Sequence, residues 1–137
     1  MPLKSHRGLN RARAPAAFAI VLLMAGSAAQ SAFAHHSGAM FDRTRTVEIK
    51  GQVKSFGWTN PHAWVELEVR GPAGPEQWNI EGSSPTVMVK QGWSKSSMKP
   101  GDQVTLIVHP MRDGTKGGSL EAAVLADGRR VGGATQG

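Results

Sequence analysis

Val47, Ile49 and Val53 alternate one for one with Glu48, Lys50, Gln52 and Lys54, and Ala63, Val65, Leu67 and Val69 alternate with Trp64, Glu66, Glu68 and Arg70. A period of two sends successive side chains to opposite faces, so both runs are half-buried strands and not amphipathic helices. Turn chemistry cuts the alternation at short intervals: Asn60-Pro61, Gly71-Pro72-Ala73-Gly74-Pro75, Lys99-Pro100-Gly101-Asp102, Asp113-Gly114 and Asp127-Gly128. With 17 glycines and 8 prolines in 137 residues, the chain reads as a turn-rich β protein and not as a helical bundle.

The first strand carries its own irregularity. Gly51 interrupts the apolar face and predicts a bulge or a sharp coil, and Phe56 and Trp58 resume the pattern one residue out of phase. Trp58-Thr59-Asn60-Pro61-His62 is a turn, because Pro cannot pair within a central strand. Gln77 to Glu81 gives a third strand in a hairpin with the second. Ser84-Pro85 then predicts a helix entry, with serine as cap and proline at the first helical position, over Thr86 to Gln91 with Gly92 beyond its end. Val104, Leu106 and Val108 mark a fourth strand, and Leu120 to Leu125 a fifth. Three strands, a short helix and two more strands predict an all-β fold, a small five-stranded OB-like barrel with one short helix between strands 3 and 4. A small open β-sandwich is the alternative. The expected organisation is an extended lead-in over 35–45, the barrel over 46–128 and a flexible tail over 129–137.

The net charge of +6 is misleading about partners. Residues 1–34 hold Lys4, Arg7, Arg11 and Arg13 with no acidic residue, which leaves 12 Lys and Arg against 10 Asp and Glu beyond them. A basic start, the apolar stretch Ala16 to Ala25 and the small-residue triplet Ala32-Phe33-Ala34 have the layout of a secretory signal peptide. The expected cut follows Ala34, with Ala29 as a second possible site. The apolar run falls short of the roughly 20 residues of a spanning helix. No cysteine follows it for lipid attachment, and no Arg pair stands in the leader. The expected location is the bacterial periplasm, with no membrane span after cleavage.

His35-His36-Ser37 at the expected cut, the Trp58-Thr59-Asn60-Pro61-His62 turn, Trp78 with Glu81-Gly82, Ser84-Pro85, Gly92-Trp93, Lys99-Pro100-Gly101-Asp102 and Leu125-Ala126-Asp127-Gly128-Arg129 form a set of motifs. Together they resemble a family of small exported bacterial proteins known only as a domain of unknown function, over about His35 to Arg130. The resemblance implies export and a small β-barrel. It supplies no activity.

Chemistry therefore rests on the residues. Cleavage after Ala34 makes His35 the N-terminal residue, whose α-amine and imidazole can chelate one ion. His36, His62 and His109 are the other candidate ligands, and nitrogen donors of this kind favour copper, with zinc next. Met40, Met88, Met98 and Met111 offer thioether donors for Cu(I), though scattered methionines more often fill core gaps. The absence of cysteine excludes thiolate sites, and no zinc-hydrolase histidine pattern is present. Four tryptophans without a tyrosine can supply a stacking surface, and Trp64 stands on the face of strand 2 opposite Val65 and Leu67. Trp58, Asn60, Pro61, His62 and Trp64 are the candidate surface for a small ligand or a partner protein. Glu66 and Glu68 share that face and read as solvated. The weak charge beyond the leader speaks against nucleic acid, which needs a basic groove. With no nucleophile, acid–base pair or cofactor fingerprint, the expected function is a non-catalytic binding module, with copper or zinc binding as the alternative.

Overall fold

The chain forms β1 (Val47–Gly57), β2 (Trp64–Gly71), β3 (Gly74–Glu81), α1 (Pro85–Lys90), β4 (Gln103–Pro110), β5 (Gly117–Val124) and β6 (Arg130–Gly132). A computed structural model describes residues 38–133. The expected signal peptide, His35, His36 and residues 134–137 lie outside them.

β1 is the longest strand because it serves two neighbours. From Val47 to Gln52 it pairs antiparallel with β4, and from Gln52 to Gly57 with β2. Gly51 sits where the two ladders meet. A Cβ there would press on the Glu68 carbonyl and lie 2.9 Å from Leu67 Cγ, so the missing side chain is what lets β2 approach. The extra residue in the register falls between Val53 and Ser55, at Lys54, and accounts for the phase shift toward Phe56. The β2–β3 hairpin turns through Pro72-Ala73 between the pair Gly71↔Gly74, and its ladder runs outward to Trp64↔Glu81. β3 then pairs parallel with β5, and β5 antiparallel with β4, which closes a five-stranded barrel. The fold is all-β and OB-like, with the short helix α1 between β3 and β4.

The inward alternation of the strands supplies the core. Val53, Val65, Leu67, Ile80, Leu106 and Val108 are each no more than 1% exposed. α1 contributes Met88 to the core, with its Sδ against Gly82. Ser84 takes the N-cap position, but its side chain makes no capping hydrogen bond, contrary to expectation; its carbonyl accepts from Val87 and Met88.

The segments flanking the barrel take part in the fold. The segment before β1 is partly built into the fold: Phe41 is buried and bridges Met111, and Arg112 N–H donates to the Met40 carbonyl at 2.9 Å. Beyond residue 128 the chain is not simply a tail. Arg130–Gly132 pairs with β5, and Val131 is buried. The Gly132 and Gly133 N–H groups also donate to the Gln91 and Glu121 carbonyls. Among the described residues no helix is long and apolar enough to cross a membrane.

Candidate functional site

The β1–β2 turn is held at both ends. Thr59 Oγ1 donates to the His62 carbonyl at 3.2 Å, and the Asn60–Pro61 peptide is cis. Ala63 N–H donates to Ser83 and its carbonyl accepts from Gly82 N–H at 2.7 Å, so pairing continues past the β2–β3 ladder. That continuation places His62 beside Gly82. His62 Nδ1 lies 3.0 Å from the Gly82 carbonyl and 3.4 Å from Glu81 Oε1. A carbonyl can only accept, so Nδ1 carries the hydrogen of this bond, and in the neutral ring Nε2 is the nitrogen with the lone pair.

Cross-strand pairing carries the site across the barrel. Gly57, Trp64, Glu81, Ser119 and His109 are successive partners on β1, β2, β3, β5 and β4. A parallel row lies two residues along the strands, on the same face: Ser55, Glu66, Asn79 and Gly117. Directly opposite residues share a face. Trp64 is 46% exposed there. Its β1 neighbour is glycine, whose absent side chain leaves bare backbone beside the indole, while Glu81 flanks it on the other side.

The remaining tryptophans do something else. Trp93 is buried, and Trp58 and Trp78 pack against the core, Trp58 edge-on to Phe56 at 5.6 Å. Cations of neighbouring positions are already engaged: Lys54 pairs with Glu68 at 3.4 Å and Lys116 with Glu76 at 3.0 Å. Glu66 makes no ion pair among the described residues. The face is therefore an indole surrounded by carboxylates, a carboxamide and an imidazole, able to stack on a ring and to exchange hydrogen bonds. The carboxylates held below their ordinary value of 3.8 belong to turns elsewhere: Asp102 by the Lys99 side chain, Asp42 by the Thr44 hydroxyl, Asp113 by the Thr115 backbone N–H and Asp127 by the Arg129 side chain.

The two described histidines are kept apart. His109 is two strand spacings, about 10 Å, from Glu81 along the row. Its Nδ1 donates to the Arg45 carbonyl at 2.9 Å, and its Nε2 lies 3.4 Å from Glu121 Oε2. Among the described residues no three His, Cys, Asp or Glu side chains are grouped to hold a metal ion. His35 and His36 lie outside those residues. Met88 and Met98 are buried in the core, which removes them as surface ligands, whereas Met40 is exposed.

Glu81, Asn79 and Gly57 belong to this surface although sequence reasoning did not single them out. The signal for two of them was present. A two-residue turn at Pro72-Ala73 fixes the hairpin register, and stepping outward from Gly71 and Gly74 brings Trp64 opposite Glu81 and Glu66 opposite Asn79. Gly57 depends on the bulge at Lys54, which alternation alone does not locate.

No match is found among the curated proteins or among the solved structures. A family model described as a family of unknown function, DUF6152, matches residues 22–121, ending just past the middle of β5. That stretch spans well over half of the chain and nearly all of the barrel, and the chain belongs to this family of unknown function.

Proposed function

We propose that the protein is an exported, non-catalytic binding module that takes a small ligand or a partner protein on the outer β2–β3 face beside the β1–β2 turn. The observation that carries this reading is the exposure of Trp64 between bare backbone and the Glu81–His62 pair. An isolated exposed aromatic is ordinary; this one stands on the face that barrels of this type use for ligands, next to the loop joining strands 1 and 2. Export rests on the leader, whose removal leaves a nearly neutral domain.

The test places a photo-crosslinking side chain at Glu66 in exporting cells, with Lys95, in the loop after α1, as the comparison position. Adducts at position 66 that disappear with Trp64→Ala support the reading. Equal labelling at both positions, or adducts indifferent to Trp64→Ala, count against it.

A second reading is copper or zinc binding by His35 and His36 with His62 or His109. The observation favouring it is that His62 has Nδ1 fixed by Gly82 while Nε2 stays available, as oriented metal ligands do. Titration of Cu(II) into protein processed after Ala34 tests it. Tight stoichiometric binding that is lost when one residue is added before His35 supports an N-terminal site; binding unchanged by the extension rejects it.

A further inference from the structure

The other end of β2 holds a different kind of site. β1 and β2 pair only from Gln52↔Glu68 onward. Before that point β1 stays with β4, while the end of β2 leaves with β3. The wedge between them is an open cleft of about 880 Å³. Lys50 on β1 and Arg70 on β2, each two residues beyond the last shared pair, line it from opposite walls. Both are exposed, and neither makes an ion pair among the described residues.

The other groups in the cleft do not cancel that charge. Glu68 is the one carboxylate lining it and is paired with Lys54 at 3.4 Å. Gln52, Gln103 and Thr105 line the β1–β4 wall as neutral hydrogen-bonding groups. On β6, Arg130 stands opposite Val124, so the cross-strand row Lys50, Thr105, Val124, Arg130 carries a cation at each end. A second hollow of about 390 Å³ shares Lys50 and Val69 with the cleft. Val47, Ile49, Trp78 and Met111 are among its walls, with Arg45 and Glu48 at polar positions. Two uncompensated cations thus stand next to an apolar recess.

We infer that this wedge binds an organic anion with an apolar body, its carboxylate or phosphate headgroup between Lys50 and Arg70 and its chain against Val69 and the recess beside Trp78. Charge complementarity selects the headgroup, since Lys50 and Arg70 line the cleft with a single carboxylate, Glu68, that is already paired with Lys54, while the unpaired Glu48 lines the neighbouring recess. The apolar walls select the body, which inorganic anions lack. Arginine adds a planar donor fork suited to both headgroups. The inference is independent of the Trp64 face.

The experiment titrates octyl phosphate and octanoate, below their micelle concentrations, into ¹⁵N-labelled protein, with inorganic phosphate and octanol as the two halves of the ligand. Octyl phosphate and octanoate are expected to shift the Gly51 and Gly71 amides and the Trp78 indole, and each half alone to bind at least tenfold more weakly. The double variant Lys50→Gln, Arg70→Gln is expected to lose at least tenfold in affinity, and Lys95→Gln none. Both variants change exposed side chains, and unaltered melting confirms the fold. Octanol binding as tightly as octyl phosphate overturns the headgroup assignment. Inorganic phosphate binding equally well overturns the apolar body. Undiminished affinity in the double variant, or shifts confined to other regions, overturns the site.

Discussion

Gly51→Ala tests the geometry on which the barrel depends. The new Cβ would lie 2.9 Å from Leu67 Cγ and press directly on the Glu68 carbonyl. Neither obstacle yields easily: Leu67 is 0% exposed, and the carbonyl belongs to the first residue of the β1–β2 ladder. Overpacking that side chains can absorb costs about 1–3 kcal/mol. Here backbone must move, which puts the expected loss at the upper end, about 3 kcal/mol. At about 4–8 °C per kcal/mol for a domain of this size, the melting temperature falls by about 12–24 °C. Gly57→Ala, on the same strand, is the control. Its Cβ would meet nothing nearer than the Trp64 carbonyl at 3.8 Å, an ordinary contact, so its effect stays within about 0.5 kcal/mol. Thermal and urea unfolding followed by circular dichroism gives both numbers. A Gly51→Ala protein melting within about 3 °C of wild type, or a Gly57→Ala protein falling as far, refutes the close approach of β2 at Gly51.

Met88→Ala should cost about 2–5 kcal/mol, read as a lower urea midpoint, because the side chain is 1% exposed and is the buried anchor of α1. Trp64→Ala should cost under about 1 kcal/mol and Trp93→Ala about 3–5 kcal/mol, since the first indole is 46% exposed and the second 3%; equal losses would mean that Trp64 is a packing residue. Acid should destabilise the domain in a defined window. Asp42, Asp102, Asp113 and Asp127 are all held below 3.8 in the fold, so their contribution is complete above that pH and is lost as pH falls through the lowered values. Unfolding midpoints should therefore be level above about pH 5 and decline below about pH 4, with Asp102→Asn flattening part of the decline.

Strand existence was legible because alternation is a local signal: Val65, Leu67 and Val69 against Trp64, Glu66 and Glu68 announce both a strand and its outer face. Turn residues carried nearly as much, since Pro72-Ala73 between Gly71 and Gly74 fixes the hairpin register. What escaped were features decided by contacts distant in sequence. Phe41 sits in a stretch without periodicity, and only its bridge to Met111 makes it core. Val131 looked like part of a flexible tail until β5 offered it an edge. Gly51 signalled irregularity, but its cause is the backbone of β2, and the bulge itself falls at Lys54. The same limit governs the site. Trp64 and His62 could be singled out by residue type, whereas Glu81 and Asn79 join them only through pairing. The Lys50–Arg70 wedge has no sequence signature, because it arises where two strands stop pairing.

The most direct test of the proposed binding face is the indole resonance of Trp64 in ¹⁵N-labelled protein processed after Ala34, followed during titration with soluble small molecules and proteins of the cell envelope. The expected result is a saturable shift of the Trp64 indole together with the amides of His62, Glu66 and Glu81, while the buried Trp93 indole stays in place. A saturable interaction that leaves Trp64 unmoved and shifts resonances on another face would contradict it.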